Sequence, residues 1–152
     1  MFAAVPRPRS PVTSPAARHD RQRPLLRYVW TAPTTALGLV FLGLALLRGH
    51  VAVVDGVVEC AGPWVARVLR QLPPRGKVVA MALGHVVAAR DAEALSSTRA
   101  HERAHVAQAE RWGPLFVPAY LAASLWAVGR GEHPYFDNLF ERDARLRSQR
   151  PC

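Results

Sequence analysis

The stretch YVWTAPTTALGLVFLGLALL, residues 28–47, runs for 20 residues without a charge between Arg27 and Arg48. At about 1.5 Å per residue, a helix of that length reaches across the ~30 Å hydrocarbon core of a bilayer. The same stretch carries Thr31, Thr34 and Thr35 in its first third and Pro33 near its start, and its densest part is confined to residues 36–47. Two readings stand side by side, a transmembrane anchor and a hydrophobic helix of a protein core. If residues 28–47 span, the arginine-rich segment before them stays cytoplasmic and everything after Arg48 is exported. If they do not, the chain is soluble and cytoplasmic. No small-residue cleavage site follows Leu47, so a spanning segment would be an uncleaved anchor.

A chain of 152 residues suffices for one compact domain with one active site at most. Half of it is apolar, yet the formal charge is +9 and every basic residue but Lys77 is arginine. These opposed signals are segregated. Residues 1–24 hold five prolines, five arginines and one acid, which suits neither strand nor helix, and read as a disordered basic tail. The tail has no aromatic after Phe2 for base stacking and no basic helix follows it, so no nucleic-acid partner is expected. Residues 25–48 form the hydrophobic helix and residues 49–150 the remaining domain. Cys60 and Cys152 show no spacing of a disulfide scaffold or a thiolate site, which leaves histidine and carboxylate to hold any metal.

Between Arg48 and Asp91 the pattern is that of short strands. HVAVVDGVVEC, residues 50–60, is split by Asp55-Gly56, the dipeptide of a two-residue hairpin turn. PWVARVLRQLPP predicts a short amphipathic helix with Trp64, Val65, Val68, Leu69 and Leu72 on one face, stopped by Pro73 and Pro74. KVVAMALGHVVAAR, residues 77–90, reads as a second hairpin or one long strand bent at Leu83-Gly84-His85, and the lone His85 reads as structural rather than as a ligand. The period then changes. DAEALSSTRAHERAHVAQAERW, residues 91–112, has helix-forming composition and no glycine or proline until Gly113. The expected fold class is α+β: a small antiparallel sheet of hairpins followed by a mainly helical half, with a hydrophobic helix in front.

The long helix spells H-E-x-x-H. His101 and His105 lie one turn apart on one face and can converge on one cation, while Glu102 stands where it can take a proton from water on that cation. A third ligand must come from downstream, where Glu132, Asp137, Glu141 and Asp143 are the carboxylates and His133 the only nitrogen. HPYFDNLFERDARLR predicts a loop, a cap at Asp137 or Asn138, and a short helix with Glu141 in its first turns. A ligand on a helix is better preorganised than one on a loop, which favours Glu141. Tyr120, His133 and Tyr135 are the candidate donors to a transition state.

His101-Glu102-x-x-His105 followed by Asn138-x-x-Glu141-x-x-Ala144 resembles the gluzincin group of zinc metallopeptidases, particularly membrane-associated ones with an E-x-x-A-D third-ligand helix. The resemblance implies one Zn2+ held by His101, His105 and Glu141, with Glu102 as general base and later proton donor in hydrolysis of a peptide or protein substrate. Where that pattern has an acid steadying a histidine, this chain has Arg145, and Gln108 or Asp143 would have to take the role. QAERWGPLFVPAY and HPYFDNLFER further resemble an uncharacterised bacterial family with H-E-x-x-H-x-x-Q and a late N-x-F-E-R. Two other classes remain open: a non-hydrolytic metal protein, since two histidines and a carboxylate also suit Fe2+, and a metal-free basic scaffold on anionic lipid.

One constraint links site and membrane. If the uncharged run 112–129 crossed a bilayer, the histidines and Glu141 would be parted by ~30 Å of hydrocarbon and could not share an ion. The three-ligand site therefore requires this run to be a buried helix or a membrane-surface hairpin.

Overall fold

The computed structural model describes residues 24–73 and 76–149. The tail expected over residues 1–24 lies outside them except for Pro24, which opens the first helix.

Helix α1 (Pro24–Leu47) is followed by strands β1 (His50–Val54) and β2 (Val57–Ala61), helix α2 (Pro63–Leu69), and strands β3 (Ala80–Leu83) and β4 (Val86–Ala89). Then come the long helix α3 (Ala92–Trp112), a 3-10 turn (Gly113–Leu115), α4 (Phe116–Gly129) and α5 (Leu139–Ser148). The class is α+β, as the sequence predicts.

Both predicted hairpins form. Asp55 and Gly56 take φ of 47° and 76°, the left-handed pair that matches the twist of the flanking strands. In the second hairpin Gly84 sits at φ 57°, where an added Cβ would fall 2.2 Å from the Thr35 hydroxyl, so glycine is required twice over. The sheet departs from the antiparallel expectation in one place. Its order is β1-β2-β4-β3, and β2 runs parallel to β4, with Val58 opposite Val86 and Ala61 opposite Ala89. Parallel neighbours need a crossover, which the α2 segment and β3 provide here. Strand periodicity does not encode that choice.

Alternation along the strands makes a three-layer arrangement. Cys60, Val86 and Ala88 face α1 and α2, where they pack with Phe41, Ala45, Val65 and Leu69. Their sequence neighbours Ala61, Val87 and Ala89 face α3 and pack with Leu95 and Val106. On that face buried Glu59 accepts hydrogen bonds from Arg99 at 3.0 and 2.8 Å and from Arg103 at 3.3 Å, which fixes α3 across the sheet. At the other end of α3, His85 lies between the Thr31 hydroxyl at 2.9 Å and the Glu110 carboxylate at 3.1 Å. His85 is thus a structural bridge among α1, the hairpin turn and α3. Trp64, expected on the inner face of α2, is 45% exposed beneath the Arg67 guanidinium, while Ala66 takes the inner position.

Two helical runs, Leu25–Leu47 and Ala92–Gly129, are long and apolar enough to cross a membrane. Neither is enclosed by protein. α1 buries the stripe Thr31, Thr34, Gly38, Phe41 and Ala45 and leaves its other side open. Of α4 only Phe116 and Ala127 are buried, so the buried form of the run 112–129 is not what is found. At 14 residues, α4 alone is about 21 Å long, short of the ~30 Å core. The chain then turns through residues 130–138 and α5 returns against α3.

Candidate metal centre

α3 carries the motif because its own termination and anchoring leave one face free for it. Asp91 caps its start by accepting from the Ala94 N–H at 2.8 Å, and Gly113 ends it. Leu95, Ala104, Val106 and Ala109 supply the apolar contacts, while Glu102, His105 and Gln108 are polar and equally buried. Buried polar groups must find partners, and for His105 and Gln108 the partners come from α5.

α5 is fastened by Asn138, which is fully buried. Its Oδ1 accepts from the Phe140 N–H at 2.8 Å, and its Nδ2 donates to the Tyr120 carbonyl at 3.0 Å and the Ser124 hydroxyl at 2.8 Å. One side chain therefore caps α5 and docks it on α4. That docking delivers Glu141 to the histidines. Its Oε2 lies 3.2 Å from His101 Nε2, its Oε1 3.2 Å from His105 Nε2, and the two Nε2 atoms are 3.1 Å apart.

The donor set fits a small divalent cation. Ligands about 2.0–2.1 Å from one tetrahedral ion stand roughly 3.3 Å apart, close to the 3.1 Å between the two Nε2 atoms and to the 3.2 Å from each Nε2 to its nearer Glu141 oxygen, one oxygen facing each ring. Together His101, His105 and Glu141 form a group able to hold a metal ion. The imidazole edges agree with this. Gln108 Oε1 lies 2.8 Å from His105 Nδ1 and, as a carbonyl, can only accept, so Nδ1 carries a proton and Nε2 is the nitrogen that would offer a lone pair to a cation once its own proton leaves. Gln108 Nε2 then donates to the Phe140 carbonyl at 2.9 Å and to Asp143 Oδ2 at 2.8 Å. Both residues named as substitutes for the missing acid thus lie in one chain running from His105 through Gln108 to Asp143. Arg145 points elsewhere, donating to the Phe136 carbonyl and lying over the Phe136 ring.

The charges are strongly coupled. For Glu141, burial would raise the pKa, but hydrogen bonds from His101, His105 and Tyr120 prevail and hold the carboxyl well below its usual range. For His105, burial opposes protonation, and Glu141 reverses the balance to push the imidazole above its ordinary value. Glu102 behaves differently. Burial raises it more than the neighbouring imidazoles and the Ala82 N–H lower it, and its Oε2, like Oε2 of Glu141, is buried without a hydrogen-bond partner. A buried carboxyl with a raised pKa and a free oxygen is suited to accept and return a proton.

Glu102, both histidines and Glu141 line one cavity of about 300 Å³. Its remaining wall is mostly apolar, with Leu72, Val78, Met81 and Leu83 on the sheet side and Phe116 and Leu121 on α4. Tyr120 and Tyr135 also line it. Tyr120 donates to Glu141 Oε1 at 2.7 Å, and burial followed by the Glu141 charge keeps both phenols protonated far above neutrality. His133 does not belong with them. It is exposed in the loop before α5, where its Nδ1 accepts from the N–H groups of Tyr135 and Phe136. That turn leaves the ring outside the lining of the cavity that holds His101, His105 and Glu141. Among the other sequence candidates, Asp137 accepts from the His133 N–H at 2.9 Å and Glu132 pairs with Arg130, so neither reaches the centre. Cys60 is buried in the core with its thiol pushed up to about 11 by burial, and Cys152 lies outside the described residues.

The β3 wall comes from the 77–90 segment, where the short apolar alternation just before Gly84 places Ala82 against α3. Comparison with protein-family models, with curated proteins and with solved structures finds no match for this chain.

Proposed function

We propose that the protein is a zinc-dependent hydrolase of peptide bonds with the site plan of a gluzincin, acting at a membrane. The observation that carries this reading is the convergence of three donors, His101, His105 and Glu141, beside a buried carboxylate, Glu102, that holds none of them and keeps one oxygen free. A metal centre without hydrolytic work has no use for that fourth group. Zinc is the cation favoured by two neutral imidazoles and a carboxylate, and when bound it supplies a Lewis acid that polarises a carbonyl and acidifies water.

The chain's own residues supply the rest. Glu102 takes the proton of the attacking water and returns it to the departing amine, a cycle for which its raised pKa fits it. Tyr120 holds Glu141 in place, and Tyr135 stands at the cavity wall as the O–H donor to the developing oxyanion. Gln108 and Asp143 keep His105 in the tautomer that leaves Nε2 free. The apolar wall accepts an apolar side chain beside the scissile bond. The membrane part of the reading rests on α1, whose open side is continuously apolar.

The test is zinc content together with hydrolysis of casein and of mixed fluorogenic peptides for the parent, Glu102→Gln and Glu141→Ala. Glu102→Gln is expected to keep zinc and lose about 10²–10⁴-fold in rate, the usual worth of a general base. Glu141→Ala is expected to lose the metal. A parent that binds zinc and cleaves nothing, or a Glu141→Ala variant that binds as well as the parent, contradicts the reading.

A further inference from the structure

α1 has two unlike sides. The inner stripe, Thr31, Thr34, Gly38, Phe41 and Ala45, follows steps of three and four and is buried from the first turns to the last. The outer side shows Leu25, Leu26, Val29, Leu37, Val40, Leu46 and Leu47, each more than half exposed, and among the 24 residues of the helix there is no acid. Trp30 packs on Gly113, so this apolar side continues onto exposed Pro114 and Leu115. A face of this extent needs a cover.

A helix that crossed a bilayer would take its neighbours with it. The inner stripe touches all four strands. Near its start the Tyr28 hydroxyl donates to the Gly56 carbonyl at 3.0 Å, in the middle Gly38 lies on Val86, and Phe41 and Ala45 belong to the core with Cys60 and Leu69. If α1 stood across the membrane, the sheet beside it would stand at hydrocarbon depth. That would immerse the open edge of β1, exposed His50 and Asp55, and the Arg27–Glu110–His85 cluster. Lipid does not tolerate an open sheet edge, and charged groups at that depth are costly.

Lying along the membrane avoids all of this. The outer side then enters the headgroup and upper acyl region, and the sheet stays in water. The charges suit an anionic surface. Arg27 and Arg48 are exposed at the two ends of α1, and five more arginines against one acid stand in the 23 residues just before it. Trp30, half exposed near one end, is the aromatic type enriched at such boundaries.

We propose that α1 lies in the plane of an anionic bilayer surface, held by its outer apolar side and flanking arginines, and does not cross the membrane. The proposal stands on α1 and its packing and is independent of the hydrolytic reading, so the Glu102→Gln variant is expected to bind membranes as the parent does.

The test uses the full-length protein with preformed vesicles of phosphatidylcholine, alone or mixed with phosphatidylglycerol. Expected are flotation with the anionic vesicles, weakening by about tenfold or more at high salt, and a similar loss for Val29→Glu/Val40→Glu with unchanged thermal unfolding. Cysteines introduced one at a time, Arg27→Cys or His50→Cys, in a Cys152→Ser background whose remaining Cys60 is buried and serves as the unreactive control, should both react fully with an impermeant maleimide added outside sealed vesicles. Labelling of either site that stays incomplete until detergent is added would mean a crossing helix and overturn the proposal. Failure to float with anionic vesicles would also overturn it, as would a stable dimer in solution that leaves the protein unbound to lipid.

Discussion

The two faces of α3 are built on opposite principles. Towards the sheet, Leu95 and Val106 meet Val87, Ala89 and Ala61 in an apolar layer. Towards α5, the same helix buries His105 and Gln108, which meet Glu141, the Phe140 carbonyl and Asp143. The first face gains by removing hydrocarbon from water, and its worth depends on packing alone. The second face gains little net stability from groups whose hydration it gives up, and what it provides is a fixed geometry. A protein that needed only to fold would have no reason to build the second.

The comparison is broken most severely in the apolar layers. Leu69 is fully buried between α2 and the sheet, so Leu69→Ala is expected to cost about 2–5 kcal/mol in urea unfolding while zinc affinity measured on the folded protein stays as in the parent. On the polar face the consequences reverse. Gln108→Ala frees the His105 ring and is expected to weaken zinc binding about 10–100-fold in competition with a chelator, with a smaller change in the unfolding of the metal-free protein.

pH sharpens the contrast further. His105 holds its proton above the ordinary value of about 6.5, so the stability it gives the metal-free protein is complete below that pH and is lost as pH rises through the higher folded value. Glu141 acts in the opposite sense, its contribution being present above the usual ~4.3 and lost only as pH falls through its depressed folded value. A bound cation competes with the His105 proton, so the rise in Tm caused by zinc should grow from about pH 6 to about pH 8. A rise that is constant across that interval would mean that the cation binds elsewhere. The smallest effect is expected where neither principle operates: Leu125 is 72% exposed on α4, and Leu125→Ser should shift stability by no more than about 0.5 kcal/mol.

What could be read from the chain follows the same division. The motif helix, both hairpin turns and the return of Glu141 on a short helix are local or nearly local features, fixed by the spacing of His101 and His105, by Asp55-Gly56 and by the Asn138 cap. The parallel seam between β2 and β4 was hidden because a strand's pattern does not state its partner. His133 caps its own turn by accepting from two successive N–H groups and does not line the cavity, a placement that residue type alone does not reveal. The shared site requires the run 112–129 to be a buried helix or a membrane-surface hairpin, and only two residues of α4 are buried, because apolar content carries no information about what covers it.

The central claim is that His101, His105 and Glu141 hold one zinc ion, and X-ray absorption at the zinc edge tests it most directly. The account predicts a first shell of two imidazole nitrogens with carboxylate and solvent oxygen at about 2.0–2.2 Å, and loss of that spectrum in Glu141→Ala. A shell containing sulfur, a shell of oxygens without imidazole, or an unchanged spectrum in the variant would contradict it.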